Sequence, residues 1–408
     1  MDYRPMFEAI RTGASVPIQY VPDLIVGREV ERKAIESDID YIASTGNSKV
    51  RVFLGDYGFG KTTLGKYSEY LGREKGMLVS YLTEKDYQDL HKQDELFKSI
   101  MKNMSLIGIE GNTLRVLMDI WAEDKVKEIE KSGLKVTSPG SVSTFLQSNA
   151  KLAKGMFLEF CAAYIFKMLR NEDTADLIAY IRGERIDRRV LKRVGIYHFL
   201  DEDGWNFLKA FAVLLKELEV PGMIIIMDEL ENLRGKRRDV RDAAYNQLRE
   251  TVDKLMGGDV SSTYCMWLGT RNWFESAKNG VASYQALHER VQNIHDIQTS
   301  QSVMLELEPM THDEYMELLK RICKSYKDTY GLSSGSNSVP ERIFESIKER
   351  YTDVNRRFSV PVREFVKFSV ATLDIMKEHP GEKVEFALQK VTAGPSEKDD
   401  LDSLFEEE

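Results

Sequence analysis

The sequence predicts an α/β fold, with a three-layer parallel sheet interrupted by a helical insertion and followed by a C-terminal helical lid. Five short apolar runs alternate with segments of helical periodicity, which is typical of parallel strands joined by crossover helices. Residues 87–215 are mostly helical by pattern and carry few strand signals. Residues 311–390 are helical again and would form the lid.

The predicted strands share an apolar composition that is typical of strands buried on both faces. They cover residues 50–54, 77–82, 222–227, 264–268 and 302–307. Before the first strand, apolar residues at helical spacing predict a helix, and they are Val30, Ala34, Ile35, Ile39 and Ile42. The Ser/Thr/Pro/Gly-rich residues 137–144 predict a loop in the insertion, and residues 333–338 predict a turn in the lid.

These patterns divide the chain into six parts. They are an N-terminal strap at 1–22, the first part of the core at 23–86, the helical insertion at 87–215, the second part of the core at 216–310, the lid at 311–392 and an acidic, disordered tail at 393–408. We expect the tail to be a solvated end that could also dock on a basic partner.

Length, net charge and cysteine spacing exclude several classes of protein. A chain of 408 residues is long enough for two or three domains, and its net charge of −9 argues against a wholly basic nucleic-acid protein. Neither a bilayer-spanning apolar run nor the layout of a secretory signal is visible, so we expect a cytoplasmic protein without membrane contact. Cys161, Cys265 and Cys323 are far apart, which favours buried thiols over a disulfide or a zinc site.

The strongest motif is G-D-Y-G-F-G-K-T at residues 55–62, which fits the P-loop pattern G-x-x-x-x-G-K-[ST] directly after a predicted strand. Glycines let backbone N–H groups face phosphates, and the following helix adds its positive dipole end. We expect Lys61 to reach the β and γ phosphates and Thr62 to ligate Mg²⁺. The alternative is a chance match in a glycine turn. The expected nucleotide-binding residues of this segment are Gly55, Asp56, Tyr57, Gly58, Phe59, Gly60, Lys61, Thr62 and Thr63.

Two carboxylates close the predicted strand at 222–227. We expect Asp228 to hold the Mg²⁺ shell and Glu229 to activate the attacking water, because ligands bind at the carboxyl edge of parallel sheets. The alternative is a pair of helix N-capping residues. After the strand at 264–268, Thr270 is the first candidate to orient that water and Asn272 the second, with an ordinary turn as the alternative.

A family resemblance adds to these motifs. The segment I-V-G-R-E from Ile25 resembles the box that lines the adenine pocket in AAA+ ATPases, which implies that Val26, Gly27 and Arg28 contact the nucleotide. The chain is similar over residues 20–375 to the ATP-binding proteins of BREX-type phage-defence systems. The carrying motifs are the P-loop, I-R-G-E-R, M-D-E-L-E, Y-N-Q-L-R, L-G-T and P-V-R-E-F.

The resemblance implies a P-loop NTPase fold of AAA+ type, ATP and Mg²⁺ as cofactors, and a role beside DNA-directed defence machinery. It also implies two functional arginines. Arg290 would complete a neighbouring subunit's site, and Arg363 would sense the nucleotide within its own chain. Both arginines could instead lie on the surface. The turn G-T-R-N departs from the family's usual G-T-P, which bears on the role of Thr270.

The sequence thus predicts an ATP hydrolase that remodels or loads partners on DNA, with self-association into an ATP-dependent oligomer and with defence-system protein partners. The alternative is a slow nucleotide-dependent signalling or scaffold switch; a small-molecule kinase is disfavoured by the Asp-Glu pair. Two basic clusters favour DNA contact, although interleaved acids also fit salt-bridged helix faces. The clusters are Arg182, Arg185, Arg188, Arg189, Lys192 and Arg193, and then Arg234, Lys236, Arg237, Arg238 and Arg241.

Overall fold

The computed structural model describes residues 1–149, 153–293, 298–331, 339–352, 358, 360–380 and 382–392. The predicted acidic tail and the predicted turn at 333–338 lie outside the described residues. The chain divides into two compact units. We call Glu29–Gly55 with Ser68–Glu306 the sheet unit, and Met1–Arg28, Asp56–Tyr67 and Leu307–Glu408 the lid unit. The six-part division made from the sequence stays a prediction.

The sheet unit contains a six-stranded sheet in the order β3-β2-β4-β5-β1-β6. Its strands are β1 (Lys49–Leu54), β2 (Leu78–Leu82), β3 (Met104–Ser105), β4 (Met223–Met227), β5 (Thr263–Gly269) and β6 (Met304–Glu306). Every neighbouring pair is parallel except β2 and β3. The α/β class and the five predicted parallel strands are confirmed, whereas the two-residue edge strand β3 has no apolar run and was not predicted.

Helices cover both faces of this sheet, which makes three layers. On one face, Ile225 and Met227 of β4 lie in the same apolar cluster as residues of α5 (Gln93–Lys102) and α12 (Arg238–Met256). On the other face, Gly72 of α4 (Lys61–Glu74) lies so close to Ile224 that a Cβ atom would be 2.4 Å from its Cδ1 atom. Burial of both faces explains why the strands are nearly continuous apolar runs.

The other helices of the sheet unit surround these layers. They are α3 (Glu29–Thr45), α6 (Thr113–Ser132), α7 (Pro139–Asn149), α8 (Met156–Leu169), α9 (Ala175–Ile181), α10 (Arg188–Arg193), α11 (Leu200–Glu217), α13 (Arg271–Glu275) and α14 (Gln285–Val291). A buried ion pair ties α3 to the sheet, because Asp38 accepts hydrogen bonds from Arg51 and Lys49 of β1. The predicted helix before β1 is present, but its Val30 is exposed rather than part of the core.

The lid unit has its own apolar core, formed by helices from both ends of the chain. Its helices are α1 (Arg4–Thr12), α2 (Val21–Leu24), α15 (His312–Tyr330), α16 (Val339–Arg350), α17 (Val362–Glu378) and α18 (Val384–Thr392). Phe7 of α1 packs edge-on against Tyr326 of α15, with ring centroids 5.1 Å apart. Arg11 binds Asp374 of α17 through two hydrogen bonds of 2.8 and 2.6 Å. The N-terminal strap is therefore partly helical and packs into the core of the lid.

The predicted loop at 137–144 is wrong from residue 139 onward, because α7 begins at Pro139. Proline is favourable in the first helical turn, where its fixed φ angle fits and its missing N–H group has no helical partner to lose. Val142 and Leu146 of this helix are fully buried, so tertiary packing outweighs the weak helix propensity of the Ser/Thr-rich segment. In the described part of the chain, no helix combines the length and the apolar character of a membrane span.

Candidate active site

The P-loop connects β1 to α4. Gly55 follows the last residue of β1, and its N–H group donates to the Gly269 carbonyl at the tip of β5 over 3.1 Å. Gly58 and Gly60 have φ angles of +82° and +89°, a region that residues with a Cβ atom seldom adopt. Helix α4 begins at Lys61, so its first N–H groups point out of the helix end and can receive anionic oxygens. This backbone geometry is what the predicted phosphate cradle requires, and phosphate binding by the loop stays a prediction.

Lys61 is buried although it carries a charge. Its Nζ atom donates a hydrogen bond of 3.2 Å to the Asp56 carbonyl and lies 5.3 Å from the ring centroid of the exposed Tyr57. Phosphate binding by Lys61 stays a prediction.

The predicted adenine-pocket segment contacts the P-loop inside the lid unit. Arg28 donates from its guanidinium to the Phe59 carbonyl over 3.0 Å, and Val26 is buried in the lid core. Gly27 and Arg28 both have positive φ angles, of 66° and 62°. A Cβ atom on Gly27 would lie 2.0 Å from Oε1 of Glu314, so any other residue there requires the Glu314 side chain to move as well as a strained φ angle. The structure thus brings together two segments that are about 30 residues apart in sequence.

The start of α17 also contacts the P-loop. The Val362 N–H group donates to the Gly58 carbonyl over 3.4 Å, and a Cβ atom on Gly58 would lie 3.0 Å from the Cβ atom of Pro361. Arg363 is exposed, and its guanidinium donates to the Gly13 carbonyl at the end of α1. The predicted sensor arginine therefore follows directly after a P-loop contact, while its own head group binds the N-terminal segment.

Asp228 directly follows β4 and is almost fully buried. Its Oδ2 atom accepts a hydrogen bond of 2.7 Å from the Tyr81 hydroxyl, and its Oδ1 atom accepts the Glu229 N–H group over 2.9 Å. The Tyr87 hydroxyl donates to the Asp228 backbone carbonyl. Burial, followed by the nearby Asp228 charge, raises the pKa of Tyr81 well above its usual value, so Tyr81 stays a donor. The Asp228 carboxylate is thus held in one orientation.

Glu229 is exposed at the same edge of the sheet. Its φ and ψ angles of 63° and 34° are left-handed, a strained conformation for a residue with a long side chain. It precedes a 3-10 turn at Leu230–Gly235 without capping it through its side chain. Glu229 therefore occupies the N-cap position without a side-chain capping bond, and its role in activating water stays a prediction.

Thr270 lies at the tip of β5, the strand between β1 and β4. It is buried, and its Oγ1 atom accepts the Trp273 N–H group over 3.2 Å, which caps the short helix α13. The hydroxyl proton of Thr270 is still able to donate. Asn272, the second candidate, is exposed within α13. A catalytic role of Thr270 stays a prediction, because capping alone explains its position.

Arg290 lies near the end of α14 and is paired within its own chain. Its Nε atom is 2.6 Å from Oδ1 of Asp253 on α12, and this hydrogen bond raises the pKa of the arginine. Asp253 also accepts from Arg249 over 2.8 Å. About a third of the Arg290 side chain is exposed, so an incoming acceptor can compete for it.

Three contributors to this arrangement were missed from the sequence. Tyr81 and Tyr87 orient Asp228, and Asp253 holds Arg290. Tyr81 is an ordinary member of an apolar strand pattern, and its partner is 147 residues away in sequence. No local signal identifies such a pair.

The oxygen donors expected from the sequence fit Mg²⁺. Thr62 offers a hydroxyl and Asp228 a carboxylate, which are the hard ligands that this ion takes together with water and substrate phosphates. The Asp228 carboxylate accepts hydrogen bonds from the Tyr81 hydroxyl and the Glu229 N–H group and has lone pairs left for a further partner. Among the described residues, no group of three or more His, Cys, Asp or Glu side chains is arranged to hold a metal.

A family model described as "BREX system ATP-binding protein BrxC/D" matches residues 2–392. No curated protein matches the chain.

Several solved structures are similar to the chain, all at low identity. The ORC2 protein of Aeropyrum pernix, solved as ADPNP-ADP complexes, is 12% identical, with a TM-score of 0.47 over 94% of this chain and 71% of that one. The ORC1 protein of the same organism, solved with DNA, is 12% identical, with a TM-score of 0.40 over 92% and 66%. Cdc6p of Pyrobaculum aerophilum is 12% identical, with a TM-score of 0.41 over 93% and 73%.

Proposed function

The chain belongs to the BrxC/D family of BREX system ATP-binding proteins, and on this premise we propose that it is a Mg²⁺-dependent ATPase that remodels or loads partners on DNA. The family membership itself confirms the predicted resemblance and makes the chain an ATP-binding ATPase of a phage-defence system. The use of Mg²⁺, the work on DNA, the assembly into an oligomer and the cytoplasmic location are parts of the proposal.

One observation carries the proposal of hydrolysis. Asp228 is buried and held by two hydrogen bonds, while the adjacent Glu229 is exposed and held in a strained left-handed conformation. Strained backbone conformations persist where the surrounding structure enforces them, and they cluster at active sites. A protein that only stores a nucleotide has no need of such a carboxylate pair.

We assign the roles as follows. The P-loop N–H groups and Lys61 bind the phosphates, and Val26, Gly27 and Arg28 contact the adenosine part of the nucleotide. Thr62 and Asp228 would hold Mg²⁺, which when bound neutralises phosphate charge. Glu229 takes a proton from water as its oxygen attacks the γ phosphorus, the bond to the bridging oxygen breaks, and ADP and phosphate leave. Thr270 orients that water.

The two arginines make turnover depend on assembly and on the state of the lid. We propose that Arg290 exchanges Asp253 for the γ phosphate bound by a neighbouring subunit, as arginines supplied in trans do in other NTPases. Arg363 responds to bound nucleotide, because the preceding residue, Val362, donates a hydrogen bond to the P-loop carbonyl of Gly58. Mixing two inactive variants tests the first role.

The mixing test uses Arg290→Ala and Glu229→Gln, each of which should be inactive alone. Random co-assembly of equal amounts should restore about a quarter of the wild-type rate, because about one interface in four then joins two intact residues. No recovery in a mixed oligomer of wild-type mass refutes a role of Arg290 in trans.

A second candidate function is the slow signalling or scaffold switch. The pair between Arg290 and Asp253 favours this function, because an arginine that is already bound to a carboxylate does not assist hydrolysis. ATP turnover should then be slow. The two functions differ in stimulation: a remodelling ATPase is accelerated several-fold by duplex DNA or a partner protein, whereas a switch retains its nucleotide and shows little acceleration.

The central experiment measures ATP turnover with and without DNA, together with the mass of the protein in ATP. Lys61→Ala should lose nucleotide binding, and Glu229→Gln should bind ATP but hydrolyse it at least ~100-fold more slowly and accumulate the ATP-bound oligomer. Lys75→Ala is the matched control, because this exposed lysine at the end of α4 pairs with Asp40 and has no assigned role. Full activity of Lys61→Ala would refute the proposal.

A further inference from the structure

The two basic clusters of the sequence differ in how their charges are satisfied. In the second cluster, Arg237 pairs with Asp239 over 2.7 Å and Arg238 with Asp242 over 3.6 Å. Arg241 from the same cluster is buried. The two interleaved carboxylates, Asp239 and Asp242, therefore offset part of the charge of this cluster.

The first cluster is different. Of its members, Arg188 pairs with Asp201 over 2.6 Å and lies over the Phe199 ring, which anchors α10 to the start of α11. Four other cations are exposed and make no ion pair with any described residue. We call them the α10 basic surface, and they are Arg185, Arg189, Lys192 and Arg193.

The geometry of α10 turns these charges to solvent. Leu191 is fully buried and fixes which side of the helix faces the protein. Arg189, Lys192 and Arg193 are three and four residues apart, so their side chains lie next to one another on the opposite, exposed side. The Asp187 carboxylate caps the helix by accepting the Arg189 N–H group over 2.7 Å and forms no ion pair with these four cations.

Helix stability does not explain this charge. The helix dipole favours cations in the last turn, which accounts for Lys192 and Arg193 but not for Arg185 or Arg189. Like charges at this spacing repel one another. Residues 182–193 carry six cations and two carboxylates in a chain whose net charge is −9. An anionic partner would neutralise an excess of this kind on a solvent-facing side.

We propose that the α10 basic surface binds the phosphate backbone of duplex DNA, and that the second cluster does not. The inference rests on the proposed function and names the surface through which it meets DNA. Charge density at closely spaced, unpaired cations is what backbone binding requires, and it reads no base sequence. Tyr197, four residues beyond the surface, has an exposed ring that can pack against a sugar or a base.

The test measures binding of the full chain to a fluorescent 30-base-pair duplex of random sequence, without nucleotide and across a series of NaCl concentrations. The variant is Arg189→Ala/Lys192→Ala/Arg193→Ala. The matched control removes the same number of charges from the second cluster, as Lys236→Ala/Arg237→Ala/Arg238→Ala. Neither triple variant touches a residue assigned to the active site, so basal ATP turnover should be unchanged in both.

We expect the α10 variant to lose at least ~10-fold in affinity, and the slope of log affinity against log salt to fall by about three. The control should bind within about twofold of the wild type. Equal losses in both variants, or wild-type binding by the α10 variant, overturn the inference. Binding of polyglutamate as tightly as the duplex also overturns it, because the partner is then an acidic polypeptide. Since ATP turnover is measured separately, the proposed hydrolysis can stand when this inference fails.

Discussion

The hydrogen bond from Tyr81 to Asp228 gives a sharp test of how the acidic edge of the sheet works. The change is Tyr81→Phe, which removes one hydroxyl oxygen and keeps the ring in place. Oδ2 of Asp228 then loses the partner that it holds at 2.7 Å, while its Oδ1 atom keeps the Glu229 N–H group. The carboxylate can rotate, because only one of its two oxygens is still held.

The magnitude follows from burial and charge. Hydrogen bonds to a charged group contribute about 1.5–3 kcal/mol, and Asp228 is only 3% exposed, so water replaces the lost donor poorly. We expect the free energy of unfolding to fall by about this amount. If half of it is lost from the transition state for hydrolysis, turnover falls about 3- to 13-fold, since each 1.4 kcal/mol is a factor of ten.

The assay combines chemical denaturation with steady-state ATP hydrolysis over a range of Mg²⁺ concentrations. A misplaced Asp228 should raise the Mg²⁺ concentration that gives half the maximal rate, whereas the KM for ATP at saturating Mg²⁺ should change little. The half-saturation point is a property that a purely structural role of Tyr81 would leave unchanged.

Tyr164→Phe is the matched control. The Tyr164 hydroxyl also donates to a carboxylate, Asp119, over 2.5 Å, but this carboxylate is 39% exposed and lies on α6, outside the active site. Water can take the place of the hydroxyl, so the control should lose at most about 1 kcal/mol of stability and no activity. If Tyr81→Phe loses stability but keeps the wild-type rate and Mg²⁺ dependence, the hydrogen bond supports the fold alone.

Two further predictions follow from packing and from burial. Gly27→Ala combines a positive φ angle with a Cβ atom 2.0 Å from Oε1 of Glu314. It should therefore weaken ATP binding and lower the free energy of unfolding by over ~2 kcal/mol in a denaturation experiment. The control Gly331→Ala has the same φ angle but open space around its Cβ atom, so it should lose only about 1 kcal/mol. Burial raises the pKa of Cys265 and of Cys323 to about 12, so at pH 8 only about one thiol in 10⁴ is a thiolate. Because the pKa is raised only in the native protein, native protein should react with a thiol reagent far more slowly than unfolded protein at pH 8. The labelling rate of native protein should rise tenfold per pH unit, as the thiolate fraction does. Rapid labelling at pH 8 would contradict the burial.

The parallel sheet could be predicted because its strands are buried on both faces and therefore read as apolar runs. The predicted first residues of β1 and β2 differ by one position from those observed, and their last residues agree. The start of α7 could not be predicted, because its Ser/Thr-rich sequence favours a loop and only the burial of Val142 and Leu146 decides for a helix. The same holds for α1, a nine-residue helix that depends on packing in the lid core.

In the candidate site, sequence predicts best where the chemistry is local. The P-loop lies within eight consecutive residues, and Asp228 and Glu229 are adjacent, so spacing alone identifies them. The Tyr81 hydroxyl and the Arg290–Asp253 pair bridge segments that are distant in sequence, and no spacing rule connects them. Only folding brings the members of each pair together.

The left-handed backbone at Glu229 has a consequence for how this chain can evolve. A side chain with a Cβ atom costs about 1–2 kcal/mol in this conformation, whereas glycine adopts it freely. A library randomised at this codon and selected only for expression and solubility should therefore enrich glycine, and asparagine after it. The same library selected for survival under phage attack should return glutamate. The two selections would then favour different residues at position 229. That difference would show that glutamate is kept there for catalysis although it lowers the stability of the fold.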